Sequence, residues 1–204
     1  MARSRLRDRE FLLYHIPLIL SREKSKKNKK TFFPKTLDKS VNLCYNTYRK
    51  GKEIMAMARN IRINFDLDGT IADLYGVENW LNQIIAEDTA PYENAQPLVK
   101  FTELTRQLNR LQKNGYEIAV ITWLARGATA QYNNAVANAK REWLARYLPN
   151  VHWNEITIVP YGTPKENYCN NPLDVLFDDE EPNRNNWTGR AYDVQNIVEI
   201  LTEM

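Results

Sequence analysis

From residue 61 onward, short apolar segments alternate with longer amphipathic ones, and each apolar segment runs into a polar loop. Residues 61–65 end at Asp66, 117–121 run into Thr122, 156–159 into Pro160-Tyr161-Gly162, and 175–177 into Asp178-Asp179. Residues 190–192 read as a fifth, shorter strand. Short apolar runs bounded by turn residues suit strands buried on both faces. Between them, residues 77–86, 99–114, 128–147 and 194–201 read as helices, with Gly115 as a stop for the second. Strands alternating with helices predict a three-layer α/β fold, a parallel central sheet with helices on both faces. In such a sheet the ligand binds beyond the carboxyl ends of the strands. Those ends carry Asp66, Asp68, Thr122, Asp178 and Asp179, with Lys165 in the loop after 156–159. Polar groups far apart in sequence are therefore expected to converge.

The first 57 residues follow a different pattern. They hold 15 Lys and Arg against 5 Asp and Glu, a net of +10, whereas the rest of the chain holds 13 against 20, a net of −7. So uneven a charge argues against one folding task for both parts. The apolar run at 11–20 is too short for a bilayer and is broken by Pro17. Asp8 and Glu10 before it and the basic stretch behind it do not suit a secretory signal. The basic run at 24–30 has the charge to contact nucleic acid or anionic lipid, and is also what a solvated tail looks like. Met57-Ala-Arg-Asn leads straight into the first apolar segment, as the start of a compact domain does. The expectation is a folded domain at 57–204, with 1–56 a basic extension that is disordered or no part of the native product.

The remaining composition narrows the chemistry. Cys44 and Cys169 lie far apart without CxxC spacing, which speaks against a disulfide scaffold or a zinc site and fits a reducing cytoplasm. His15 and His152 are the only histidines and leave a His-based hydrolase little to work with. Asp66-Leu67-Asp68-Gly69-Thr70, directly after a strand, offers two carboxylates on one tight turn. One can attack phosphorus and the other can protonate the leaving oxygen. Thr122 and Lys165 can grip phosphoryl oxygens, and Asp66 with Asp178-Asp179 offers hard oxygen ligands to magnesium. Lys140, on the preceding helix, is an alternative to Lys165. Trp123 and Arg126 follow the second strand and suit a base and a second anionic group, or else packing and surface. Tyr75 and Trp80 are ambiguous in the same way, while Trp143 and Leu144 read as core. Asn183, Asn185 and Asn186 read as a turn, with Asn183 bracing the loop after the fourth strand.

FDLDGT, AVIT, the lysine of YGTPK and VLFDDEEPN, in this order and spacing, resemble the four motifs of the haloacid dehalogenase (HAD) superfamily across most of residues 58–204. The resemblance implies a HAD-like Rossmannoid fold with a small helical cap insert at about 74–98. It implies a Mg2+-dependent phosphatase with Asp66 as nucleophile and metal ligand, and Asp68 as general acid/base with its carbonyl on the metal. Thr122 and Lys165 would hold phosphate, Asp178 would bind the metal, and Asp179 would assist through water or orient Lys165. Asp73 in DGTIAD, and DDEEPN followed by GRAYD, are most similar to the 5′(3′)-deoxyribonucleotidase-like group and its small phage-type relatives. That points to nucleoside or deoxynucleoside monophosphates. The departures are Thr70, where that group often has Val, and a shorter insert. Two other readings stay open: a catalytically idle nucleotide-binding module, and a phosphatase of nucleic-acid 3′ ends. A small phosphorylated partner is expected, with no membrane role.

Overall fold

The computed structural model describes residues 61–204. The expectations for residues 1–56, including the basic run and the apolar segment at 11–20, lie outside the described residues. Among the described residues, no helix is long and apolar enough to cross a membrane.

Five parallel strands form the central sheet in the order β5-β4-β1-β6-β7. They are β1 (Arg62–Phe65), β4 (Glu117–Trp123), β5 (Glu155–Val159), β6 (Val175–Phe177) and β7 (Arg190–Tyr192). The fold class is therefore the parallel α/β architecture that the strand-helix alternation predicts. Strand β1 lies in the middle and pairs on both sides, Phe65 opposite Val120 and Phe177. A strand enclosed in this way shows no face to water: Ile63, Phe65, Val175, Leu176 and Phe177 are all fully buried, and the buried Asn64 side-chain amide donates to the Val175 carbonyl at 3.1 Å. The Phe65 and Phe177 rings stack at 5.1 Å across the two central strands.

The two sheet faces are covered unequally. Helices α3 (Phe101–Lys113), α4 (Ala130–Tyr147) and α6 (Ile197–Glu203) share one apolar cluster with Ile63, Phe65, Val120 and Phe177. In α3 the residues at helical spacing, Leu104, Leu108 and Leu111, are buried, and Gln107 is buried beside them. Trp143 and Leu144 of α4 are core, and the Trp143 indole donates to the Ala95 carbonyl at 2.8 Å. The opposite face, around Ile121 and Leu176, is covered by Trp187, Tyr168 and Cys169. These come from the 3-10 turn Lys165–Tyr168 and from helix α5 (Glu181–Asn186) with its flank.

An insert separates β1 from α3. Its base is a two-stranded antiparallel ribbon, β2 (Ala72–Asp73) with β3 (Gln96–Pro97), and it carries two short helices, α1 (Trp80–Ile85) and α2 (Ala90–Asn94). Helix α1 is shorter than the predicted 77–86, because Asn79 takes a left-handed φ of 56° that interrupts the pattern. In the same way the last helix begins at Ile197 instead of 194, after Asn196 at φ 64°. Residues 183–186, read as a turn, are helical within α5, which has proline in its first turn.

Candidate active site

The three central strands end side by side, and their last residues build the site. The Asp66 amide donates to the Phe177 carbonyl at 2.9 Å, which carries the β1–β6 pairing one residue past the strand. Asp66 and Asp178 therefore leave the sheet together. The chain then turns sharply: the Ile71 and Ala72 amides return to the Leu67 carbonyl at 3.1 and 2.9 Å, and the Gly69 amide reaches the Ala72 carbonyl at 2.8 Å. Leu67 and Ile71 anchor the turn in the core, leaving Asp66 and Asp68 facing the cavity.

Gly69 is required here. It sits at φ +78°, and a Cβ would stand 2.5 Å from Asp179 Oδ2 and 2.5 Å from the Tyr75 ring. Gly69→Ala is expected to displace Asp179 and to cost about 1–3 kcal/mol of stability. Urea unfolding and magnesium titration should weaken together. A variant with wild-type magnesium affinity would show that this turn does not set Asp179.

Carboxylate oxygens of Asp66, Asp178 and Asp179 lie within 4.8 Å of one another. Asp178 and Asp179 are braced from behind. Asp178 Oδ1 accepts from the Asn183 amide at 3.1 Å and from the Glu180 backbone N–H at 2.9 Å. Arg184 Nη1 donates to the carbonyls of Asp178 and Asp179 at 2.8 and 2.6 Å. The Thr70 hydroxyl donates to Asp179 Oδ1 at 3.3 Å and accepts from the Asp179 amide at 3.2 Å. Asp174, another buried acid, lies at the other end of β6; it accepts from the Arg62 amide at 2.8 Å and serves the fold.

Lys165 is 1% exposed and lies 2.8 Å from Asp66 Oδ1 and 2.7 Å from Asp178 Oδ2. Burial works against its charge, but the two carboxylates outweigh it and raise its pKa above the ordinary lysine range. The Trp123 ring faces it at 4.9 Å. Lys140 is equally buried but belongs to another corner, 2.5 Å from Asp68 Oδ2 and 2.9 Å from Thr122 Oγ1. Thus both lysines weighed in the sequence reach the site, on different acids.

Crowded carboxylates in a dry place hold protons. Asp68 is pushed up mainly by burial, with Lys140 opposing and Asp66 adding. Asp178 is raised by burial and by Asp66, against Lys165. Asp179 is pushed up to about 7, by burial first and then by the charges of Asp66 and Asp178. Because the folded Asp179 keeps its proton above the ordinary 3.8, the metal-free protein has this stabilisation in full below 3.8 and loses it as pH rises toward about 7. A divalent cation must displace that proton. Magnesium affinity is therefore expected to rise with pH up to about 7, with close to one proton released per ion at about pH 6. Calorimetry in two buffers of different ionisation enthalpy measures this, and binding at pH 6 without proton release would contradict it.

Beyond the acids opens a cavity of about 520 Å³ lined by Asp66, Asp68, Thr122, Lys165 and Glu180 at one end. Its other walls are mainly apolar and aromatic, with Tyr75, Trp80, Leu81, Ile84, Tyr92, Trp123 and Tyr161, and Glu87 and Arg126 are the charged residues among them. Tyr75 and Trp80 meet edge-on at 5.1 Å, and Trp123 lies 5.0 Å from Tyr161. Trp123 also donates to the Thr163 carbonyl at 2.8 Å. Arg126 is exposed at the rim, its guanidinium 5.6 Å over the Tyr161 ring. His152 lies in a loop away from the cavity, its carbonyl accepting from the Gln112 amide.

No protein-family model and no curated protein matches the chain. Among solved structures, it is similar to the D,D-heptose 1.7-bisphosphate phosphatase from B. bronchiseptica, complexed with magnesium and phosphate. The identity is 14% and the TM-score 0.41, over 70% of this chain and 98% of that one. So slight a likeness leaves the chemistry of the site to be read from its own groups.

The structure thus brings Asp66, Asp68, Thr122 and Lys165 to one end of one cavity, with Asp178 and Asp179 clustered on Asp66 beside it, Trp123 on its wall and Arg126 at its rim. The Asp68 carboxylate is not part of the three-acid cluster; it turns to Lys140. Thr70, Tyr92 and Arg184 went unread as site residues. For Thr70 a signal existed: it is a hydroxyl at a position where the resembling group often has valine, and that hydroxyl holds Asp179.

Proposed function

We propose that the protein is a magnesium-dependent phosphomonoester hydrolase of HAD type that works through an aspartyl-phosphate on Asp66. The observation that carries this is the position of Asp66. It faces the cavity, within reach of a cation shared with Asp178 and Asp179, and it is steadied by the ammonium of Lys165. Three crowded carboxylates with hard oxygen donors fit a magnesium ion. Asp66, Asp178 and Asp179 would hold it with their side chains, and Asp68 would contribute its carbonyl. When bound, the ion neutralises charge between carboxylate and phosphate so that the two can approach.

The chain's own groups supply the rest. An Asp66 oxygen attacks phosphorus as the bond to the leaving oxygen breaks, and the leaving oxygen takes a proton from Asp68. Lys165 and the Thr122 hydroxyl grip the equatorial oxygens. Water then attacks the aspartyl-phosphate and gives its proton to Asp68, which frees inorganic phosphate and restores Asp66.

The aromatic and apolar walls suit a flat, weakly polar leaving group, and a nucleoside or deoxynucleoside fits that description. Arg126 at the rim suits an additional anionic or stacked group. The full chain, assayed for phosphate release with magnesium and with chelator, decides the class. The panel should hold ribo- and deoxynucleoside monophosphates, a 3′-phosphorylated oligonucleotide and simple sugar phosphates. Release from nucleoside monophosphates is expected to exceed release from sugar phosphates by at least tenfold. Tight nucleotide binding without release would favour the idle module, and preference for the oligonucleotide would favour an end phosphatase.

A further inference from the structure

Two buried lysines reach the acids of this site, and counting their donors separates them. An ammonium has three N–H donors and no acceptor. At Lys165 two are engaged, by Asp66 and Asp178, and the residue lines the cavity. One donor remains for a phosphoryl oxygen. At Lys140 all three are engaged: by Asp68 Oδ2 at 2.5 Å, by Thr122 Oγ1 at 2.9 Å and by the Trp123 carbonyl at 2.5 Å. Lys140 does not line the cavity, and the Tyr92 ring covers it at 5.2 Å.

This arrangement constrains both side chains it touches. A hydroxyl that accepts from an ammonium keeps its single hydrogen to donate elsewhere, and Thr122 lines the cavity. Asp68 is held by Oδ2 alone, and its Oδ1 makes no hydrogen bond among the described residues.

We propose that Lys140 is a positioning residue that clamps Asp68 by one oxygen so that the other meets the leaving group, and that turns the Thr122 hydroxyl toward phosphate, without itself touching substrate. This rests on the phosphatase reading above. In the step concerned, Asp66 bonds to phosphorus, the phosphorus–oxygen bond to the leaving group breaks with its electron pair on the leaving oxygen, and that oxygen takes the Asp68 proton. A phenolate that is stable as an anion leaves without that proton, whereas an alkoxide does not. Loss of the clamp must therefore hurt alkyl esters selectively.

The test compares kcat/KM, which reports every step up to departure of the leaving group, for 4-nitrophenyl phosphate and for an alkyl phosphate, using the full chain with magnesium. Lys140→Met is expected to lower the alkyl ester by about 100-fold and the aryl ester by about tenfold or less, with KM for the aryl ester little changed. Equal losses on both esters, or a loss carried by KM, would overturn the proposal in favour of a phosphate-binding or purely structural lysine. Should Lys140→Met fail to fold by circular dichroism, Lys140→Arg carries the same comparison. It keeps the charge but cannot place one nitrogen on all three acceptors, so a smaller selective loss is expected, and equal losses overturn the proposal. A wild-type protein that releases phosphate from neither ester would instead remove the phosphatase reading itself.

Discussion

Replacing Asp66 by asparagine is expected to abolish magnesium-dependent phosphate release, by roughly four orders of magnitude or more, with the fold retained. The carboxylate has two tasks that an amide cannot perform, nucleophilic attack and sharing a cation with Asp178 and Asp179. Its place in the fold does not depend on the charge. The Asp66 amide N–H is paired with Phe177, and the strand before it is fully enclosed. A steady-state assay of phosphate release on the preferred substrate checks this, with circular dichroism as the control for folding. Residual activity within tenfold of wild type would move the nucleophile elsewhere.

Lys165→Met is expected to be the most destabilising single change at the site. Lys165 is the ammonium between Asp66 and Asp178, and both oxygens it holds are buried or nearly so. Removing one partner from a buried pair leaves an uncompensated charge and costs about 3–5 kcal/mol, whereas an exposed pair would cost a fraction of that. For a domain of this size the thermal midpoint should fall by roughly 10 °C in chelator. The loss should be larger at about pH 8 than at about pH 5, where Asp179, whose pKa is pushed up to about 7, takes up a proton and sheds repulsion. Magnesium should recover part of it, because a cation shared by the three acids replaces the missing charge. Differential scanning calorimetry with and without magnesium at the two pH values tests all three statements. A midpoint within two degrees of wild type in chelator at pH 8 would show that the cluster does not depend on Lys165 for its charge balance.

The strand ends were legible because buried parallel strands leave little choice of residue. Enclosure on both faces makes 175–177 apolar throughout and puts Ile63 and Phe65 in 62–65, so the acid that follows Phe65 and Phe177 marks where each chain segment leaves the sheet. Helix 101–113 was legible from Leu104, Leu108 and Leu111. An insert at about 74–98 with a helix at 77–86 was expected, but its ribbon and the helix α2 were not, because these elements are short and have no period. The ribbon of β2 and β3 has two residues per strand, and α1 buries none of its residues. Asn79 and Asn196 in left-handed conformations trim two helices that the apolar pattern extends. At the site, residue type named the acids and both lysines, but only the folded chain shows which lysine serves which acid. That assignment depends on α4 crossing behind Thr122 while the 3-10 turn 165–168 comes in beside β6, a relation no local pattern encodes. The same limit hid Tyr92, which α2 brings over Lys140.

Hydrolysis through Asp66 passes through a covalent phosphoryl-enzyme on that residue. It is tested most directly by acid-quenching the full chain during turnover with magnesium and substrate, reducing with borohydride, and sequencing the peptides by mass spectrometry. Reduction converts an acyl-phosphate of aspartate to homoserine. Homoserine is expected at position 66 alone, appearing only when both magnesium and substrate are present. Turnover with no modification at Asp66, or with homoserine at Asp68 or Asp178 in its place, would contradict it.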